Sequence, residues 1–206
     1  MKRNTVLTNK VRIIAGHWRS RQVQVIDQKD LRPSTDRVRE TLFNWIHPLL
    51  QSSRCLDLFA GTGVLGFEAA SRGAKLVQFV EYGQKAFMNL RNNLELLQPG
   101  PSSCQIEITR SEAIAWMASH DISNFDIIFV DPPFDDVNLL QNSLKTLGKI
   151  QFQTKFPIIY VESTTKIENE VLLEDLKDWQ IDRQLIAGAV KATLLKKTIR
   201  PLENSL

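Results

Sequence analysis

Cys55-Leu56-Asp57-Leu58-Phe59-Ala60-Gly61-Thr62-Gly63-Val64-Leu65-Gly66 decides the fold. An apolar strand runs into a glycine-rich turn and opens a helix, Phe67-Glu68-Ala69-Ala70-Ser71-Arg72, which Gly73 stops. Gly61 and Gly63 let the backbone approach a ligand closely, and Gly66 permits tight packing of helix on strand. The spacing Gly61-x-Gly63-x-x-Gly66 also matches the dinucleotide fingerprint. Glu81 follows the apolar run Val77 to Val80, about twenty residues on, where a ribose-binding acid belongs. A lone glycine fingerprint is weak evidence. Asp57 inside it and Glu81 after the next strand make it specific.

Working outward, strand and helix patterns alternate. Strands are expected near 54–58, 77–81, 105–109, 126–131, 157–163, 179–186 and 189–197, and helices near 64–72, 84–97, 111–119, 136–149 and 167–174. Such alternation predicts a doubly wound, seven-stranded, mostly parallel α/β sheet with its ligand crevice at the strands' C-terminal ends. Few residues separate the last two strands, so they should pair antiparallel at one edge. Upstream, Val11 to Ile26 alternates around Gly16 and Ser20 as a hairpin would. Leu31 to Asp36 reads as a loop ending in N-cap residues, and Val38, Leu42, Phe43 and Ile46 mark a helix face expected to stop before Pro48. The expected division is a basic N-terminal hairpin-and-helix extension over 1–50 and a catalytic domain over 51–206.

Asp131-Pro132-Pro133-Phe134 closes the apolar run Ile127 to Val130. Two consecutive prolines cannot continue a sheet ladder or start a helix interior, so they fix a rigid turn at the strand's end. That turn offers a carboxylate, backbone carbonyls and an aromatic ring. Together they can grip a planar group bearing an NH2, the oxygens taking its hydrogens and the ring stacking on its face. Methyl transfer to a ring-conjugated amino nitrogen needs such a grip. The bland alternatives are a turn-capping role for Asp57, a solvated strand end for Glu81, a helix-dipole role for Glu112 and a core position for Phe134.

Composition fits an ordinary globular chain, 43% hydrophobic and 24% charged over 206 residues. No apolar run approaches the roughly 20 residues of a membrane span, and no apolar segment follows Met1, so a cytoplasmic protein is expected. Cys55 and Cys104 fall in expected strand positions and read as buried free thiols. His17, His47 and His120 are scattered, without metal spacing. Charge is uneven: residues 1–39 carry ten Lys or Arg against three Asp, a net of +7, and the remainder 16 basic against 20 acidic residues. A polyanion is the expected partner of the N-terminal segment. Trp18 lies among Arg12, Arg19 and Arg21, which suits RNA contact or, equally, a hairpin core.

Arg12 to Arg21, Leu31 to Trp45 (with Arg-Pro-Ser-Thr-Asp-Arg-Val-Arg-Glu-Thr-Leu-Phe-Asn inside it), the glycine loop, Asp131 to Phe134, Tyr160-Val-Glu162 and Gly188-Ala-Val190 together resemble the bacterial 16S rRNA guanine-N2 methyltransferases of the RsmD family, across about residues 11 to 197. Ala15 stands where that family usually has glycine, and Glu112 where Asn or Asp is common. The resemblance implies a Rossmann-like methyltransferase fold, S-adenosylmethionine as donor and no metal. It implies as acceptor the N2 of a guanine in 16S rRNA, presented in a small ribosomal subunit or its precursor. The expected donor site comprises Asp57, Phe59, Gly61, Thr62, Gly63, Glu81 and Glu112, with Asp57 facing the donor's positive end. Asp131, Pro132, Pro133 and Phe134 form the expected catalytic turn, and Arg12, Trp18, Arg19, Arg21, Arg32, Arg37 and Arg39 the expected RNA contacts. A monomer without membrane association is expected. Adenine-N6 methyltransferases share the Asp-Pro-Pro turn but usually add a recognition insertion for which this chain has no room. A nicotinamide-dependent oxidoreductase would explain the glycines and Glu81, but neither Asp57 nor the proline turn. A non-catalytic RNA-binding module would leave the intact donor loop unexplained.

Overall fold

Helices and strands alternate from residue 35 onward because the chain alternates 3.6-residue periodicity with short apolar runs. The computed structural model describes residues 9–25, 35–134, 136–154 and 157–198. In chain order these form β1 (Asn9–Arg12), β2 (Gln22–Val25), α1 (Thr35–Leu50), β3 (Arg54–Asp57), α2 (Val64–Ser71), β4 (Leu76–Glu81), α3 (Gln84–Leu96) and β5 (Gln105–Arg110). There follow α4 (Ala113–Ser119), β6 (Ile127–Val130), α5 (Val137–Gly148), β7 (Ile158–Thr164), α6 (Asn169–Leu173), β8 (Trp179–Ala187) and β9 (Val190–Lys197).

The main sheet has seven strands in the order β5-β4-β3-β6-β7-β9-β8, beside a two-stranded β1-β2 sheet. β5 to β7 pair in parallel, while β9 runs antiparallel to both β7 and β8. The order reverses between β3 and β6, so their C-terminal ends flank the crevice where an open α/β sheet binds ligands. Strand β6 is wholly apolar and buried because both sheet faces are covered, and β3 buries Cys55 and Leu56 between its polar ends, Arg54 and Asp57. One face packs under β1, β2, α1, α2 and α3 around Trp18, Phe43, Phe67, Phe79 and Tyr160. The other packs under α4, α5 and α6 around Trp116, Leu144 and Trp179.

The N-terminal hairpin is pinned to α2 and α3. Glu68, wholly buried in α2, accepts from Ile14 N (2.8 Å), Ala15 N (3.0 Å) and Arg72 Nε (2.7 Å). Ser71 Oγ donates to Ala15 O (2.6 Å) and accepts from Trp18 N (2.9 Å). Gly16 adopts φ +84°, and a Cβ there would lie 1.8 Å from Ser71 O, so only glycine fits this approach. From α3, Asn93 accepts from Gln24 N (2.8 Å) and donates to Gln24 O (3.0 Å), and Asn89 donates to Gln24 O (2.8 Å). Val11, Ile13, Trp18, Val23 and Val25 share the hydrophobic cluster of α1 to α3, so packing is continuous across residue 50.

Two expectations change. Helix α1 runs through Pro48 to Leu50. The proline sits in the last turn, where its missing N–H costs one i→i−4 bond, that to exposed Asn44, near a helix end where carbonyls go unpaired anyway. Cys104 precedes β5 and is half-buried, whereas Cys55 is buried within β3. Residues 1–8 and 26–34, with Arg32 and most of the expected N-cap loop, lie outside the described residues.

Candidate functional site

The glycine loop hangs from β3 by its own backbone. Ala60 N donates to Val80 O (3.0 Å), Gly63 N to Ala60 O (2.6 Å) and Gly66 N to Asp57 Oδ2 (3.1 Å). Asp57 is only 2% exposed. Burial pushes its carboxyl up to about 7; the Gly66 N–H opposes this, nearby Glu81 adds to it, and the Phe59 N–H opposes it. The carboxyl therefore braces the turn from within, the capping alternative, instead of lining the crevice. Gly61 adopts φ +52°, and a Cβ there would meet nothing nearer than Phe59 O at 3.9 Å. This open flank is where the backbone can approach a ligand. Gly63 differs from expectation: its absent Cβ makes room for Leu90 and Phe67, which would lie 2.3 and 2.6 Å away, so it serves packing. Gly66 packs against Phe79 and Val77 of β4 as its position suggests.

Glu81 ends β4 half-buried. Its Oε2 accepts from Gly61 N (2.8 Å) and its Oε1 from Gly83 N (2.6 Å), so it joins two strand-end loops. A carboxylate has about four acceptor positions and can take hydroxyls besides. Glu112 is exposed at the N-cap position of α4, where its side chain makes no capping bond. It lies near Glu81 because Ser111 N donates to Glu81 O (3.1 Å). Thr62 is half-buried, and its carbonyl accepts from Asn93 Nδ2 (3.1 Å). Phe59 is half-buried against the α4 side of the sheet. Tyr82, 67% exposed directly after Glu81, was not singled out from sequence. An exposed aromatic immediately after the strand-end acid was the available signal. The open Gly61 flank, the Glu81 carboxylate and the flat Tyr82 ring fit an adenosine moiety, offering acceptors for ribose hydroxyls and a surface for a base.

The second half of the site is the turn after β6. Asp131 and Phe134 are half-buried, Pro132 is buried and Pro133 exposed. Asp136 N donates to Pro133 O (3.0 Å), and the Asp136 side chain caps α5 by accepting from Leu139 N (2.9 Å). The turn is thus anchored to a strand on one side and a helix on the other. A hollow beside it is lined by Pro132, Pro133, Phe134, Val137, Glu162 and Thr164. Wholly buried Tyr160 in β7 donates its hydroxyl to Glu162 Oε1 (2.7 Å). Burial first, then the charges of Glu162 and Asp131, hold the Tyr160 phenol well above its usual range. Among the described residues no cluster of three or more His, Cys, Asp or Glu could hold a metal ion.

The expected RNA contacts separate into two groups. Arg12, Arg19 and Arg37 are exposed, and Lys10 joins them because β1 turns Lys10 and Arg12 outward and Val11 inward. The other three described residues are structural. Trp18 is wholly buried against Phe67 and donates Nε1 to Pro99 O (3.3 Å), so its ring offers no stacking surface. The Arg21 guanidinium donates to the carbonyls of Leu96 and Leu97 (2.8 Å to the latter) at the end of α3, where a cation suits the helix dipole. Arg39, 3% exposed, donates to Arg12 O (2.6 Å) and Asp36 Oδ1 (3.0 Å), and burial lowers its pKa. A basic side chain can cap carbonyls as readily as it binds phosphates, and the sequence does not say which. No helix among the described residues is long and apolar enough to cross a membrane.

Comparison with known proteins gives a consistent picture. Residues 11–196 match the family described as conserved hypothetical protein 95. The chain is 38% identical over 186 residues to ribosomal RNA small subunit methyltransferase D of Haemophilus influenzae, covering 90% of this chain and 93% of the relative. A putative methyltransferase of Escherichia coli superposes with a TM-score of 0.78 at 34% identity, over 93% of this chain and all of the other. The 16S rRNA N2 G1207 methyltransferase RsmC of Thermus thermophilus, solved with AdoMet and guanosine, shares the fold, with a TM-score of 0.68 at 20% identity. That match spans 93% of this chain and 50% of RsmC.

Proposed function

The chain belongs to the family described as conserved hypothetical protein 95, that of ribosomal RNA small subunit methyltransferase D, and on that premise we propose that it methylates the exocyclic N2 of a guanine in 16S rRNA. It is an S-adenosylmethionine-dependent rRNA methyltransferase. The observation that carries the acceptor assignment is the anchored Asp131-Pro132-Pro133-Phe134 turn at the switch point, one strand away from the glycine loop. The small ribosomal subunit or its precursor is the proposed form of the substrate.

When bound, S-adenosylmethionine supplies an electrophilic methyl group on a sulfonium. The residues that would hold it are the Gly61 flank, Glu81 for ribose hydroxyls, and Tyr82 with Glu112 for the base. Acceptor handling falls to the turn. The guanine amino lone pair is delocalised into the ring, so it attacks poorly until that nitrogen is rotated and made pyramidal. The Asp131 carboxylate and the Pro132 carbonyl accept the two amino hydrogens, which holds the lone pair in the direction of transfer. Phe134 stacks on the base and fixes its plane. After transfer the nitrogen carries one proton too many, and Asp131 is placed to accept it. Positioning and fixed acceptors supply most of the acceleration. In a duplex the base edge is engaged by its partner, so a loop or extruded nucleotide is the suitable target.

The test is the modification pattern of rRNA from cells lacking this protein. One N2-methylguanosine should be missing from the small subunit, seen by nucleoside analysis and primer extension, and return when the chain is supplied. Unchanged small-subunit methylation would defeat the proposal.

A further inference from the structure

We infer that Glu162 reads the N1–H of the target guanine and so selects against purines whose N1 carries a lone pair; this rests on the guanine-N2 reading above. The parallel ladder of β6 and β7 runs to Val130 opposite Val161. One residue further along each chain brings Asp131 and Glu162 side by side, at about the 4.8 Å spacing of neighbouring strands. Tyr160 and Glu162 are two residues apart in a strand and share a sheet face. Tyr160 is immobilised in the core, packed edge-on against Phe129 of β6, and its hydroxyl fixes Glu162 Oε1 at 2.7 Å. Both carboxylates lie close enough to that phenol for their charges, after burial, to raise its pKa. Glu162 also borders the hollow formed by Pro132, Pro133 and Phe134.

Two neighbouring carboxylates suit one particular edge. Guanine presents two donors side by side, the N2 amino group and the ring N1–H. With Asp131 on the amine, the adjacent acceptor meets N1–H. A carboxylate has about four acceptor positions, so the bond from Tyr160 does not saturate it. A purine with a lone pair at N1 would set acceptor against acceptor and leave a charge desolvated without a partner. Sites built to hydrogen-bond a donor reject analogues lacking it for this reason. Glu162 is then a specificity-determining residue, with Tyr160 positioning it.

The experiment replaces the target guanine, once mapped, by 2-aminopurine in ligated small-subunit rRNA. This analogue keeps the exocyclic amine but has a lone pair at N1. The readout is the ratio of kcat/KM for the guanine and 2-aminopurine substrates, for the wild type and Glu162→Gln. The wild type should prefer guanine by about ten- to a hundredfold, the range of a charge-assisted hydrogen bond. Glutamine still accepts from Tyr160 and can donate to a bare N1, so the ratio should collapse to within about threefold. An unchanged ratio overturns the role of Glu162. So does a folded, donor-binding Glu162→Gln protein inactive on both RNAs, since Glu162 would then act in the transfer itself. Should that variant not fold, Tyr160→Phe serves: a ratio lowered severalfold supports the inference, and an unchanged one overturns it. A wild type that methylates no guanine defeats the functional reading itself, whereas guanine methylation with a constant ratio defeats only this inference.

Discussion

The seam between the N-terminal hairpin and α2 and the crescent of strand ends use the same chemistry, carboxylates meeting backbone N–H groups, but to different ends. In the seam, Glu68 is wholly buried and takes donors from residues 53 and 54 positions away, sealing two segments together. In the crescent, Glu81 takes two backbone donors and stays partly exposed, and Asp131 lies half-buried just past the end of β6. Residual exposure, more than the number of bonds, separates a carboxylate that holds the fold together from one that can meet a ligand. Asp57 falls with the first kind, although its place in the glycine fingerprint suggested the second.

The strongest way to break this contrast is at the crescent. Asp131→Ala should lower kcat by roughly 100- to 1000-fold, the scale of losing one preorganised transition-state partner. Donor affinity by calorimetry should stay within about threefold, because the interaction is made mainly in the transition state. Near-normal turnover would remove Asp131 from the chemistry. Gly61→Val should abolish S-adenosylhomocysteine binding, since the side chain would project over the open flank. A left-handed backbone costs a valine about 1–2 kcal/mol, so the thermal midpoint should fall by only about 2–8 °C. Retained binding in that folded variant would take the loop out of the site.

At the seam the effects should be on stability. Glu68→Ala strands Arg72 and two backbone donors, and breaking a buried pair typically costs about 3–5 kcal/mol. Thermal unfolding should report a drop of about 10 °C or more, and an unaltered midpoint would show that the seam contributes little. Deleting the hairpin is unsuitable as a probe of RNA binding, because it would also expose Phe67 and strand Glu68. Replacing Lys10, Arg12, Arg19 and Arg37 by alanine is cleaner. If they meet phosphates, the slope of rRNA affinity against salt should flatten by roughly 0.7–0.9 for each phosphate no longer neutralised. Arg21→Ala, which uncaps α3, should lower stability and leave that slope alone. Identical slopes for all variants would move the RNA face elsewhere.

A last effect, visible only as a dependence on pH, concerns Asp57. Its folded carboxyl keeps a proton up to about pH 7, against an ordinary value of 3.8. Folding therefore takes up a proton between those values, and the group's contribution to stability is full below about pH 4 and lost as pH rises through about 7. Asp57→Asn should flatten that part of the stability profile in chemical denaturation from pH 4 to 8. An unchanged profile would mean that the carboxyl is ionised throughout.

The crescent was largely legible in the sequence because glycine and proline punctuate it. Gly61 can take a left-handed turn that other residues avoid, and the Pro132-Pro133 pair has few conformational options, so both mark where the chain turns. Strand order is another matter: β9 enters between β7 and β8, and alternation alone gives the hairpin but not which strand takes the edge. The seam was illegible. Glu68 and Asn93 read as ordinary polar positions of helices, and nothing local shows that their partners lie in a hairpin more than 50 residues upstream. Arg21 and Arg39 look like RNA contacts for the same reason, since their partners are carbonyls supplied by the fold, and of the two readings open for Trp18 the structure takes the hairpin core. Glu162 belongs to a segment that carries the resemblance, but a role for it emerges only from the β6–β7 register, which runs to the residues just before it and Asp131.

The most direct measurement is methyl transfer from labelled S-adenosylmethionine to small ribosomal subunits from cells lacking this protein, followed by nucleoside analysis, with wild type and Asp131→Ala in parallel. The wild type should place label in N2-methylguanosine at a single position of 16S rRNA, and the variant should bind the donor but leave the RNA unlabelled. Label in an adenine, or equal labelling by both proteins, would contradict the assignment of the Asp131 turn as a guanine-N2 site.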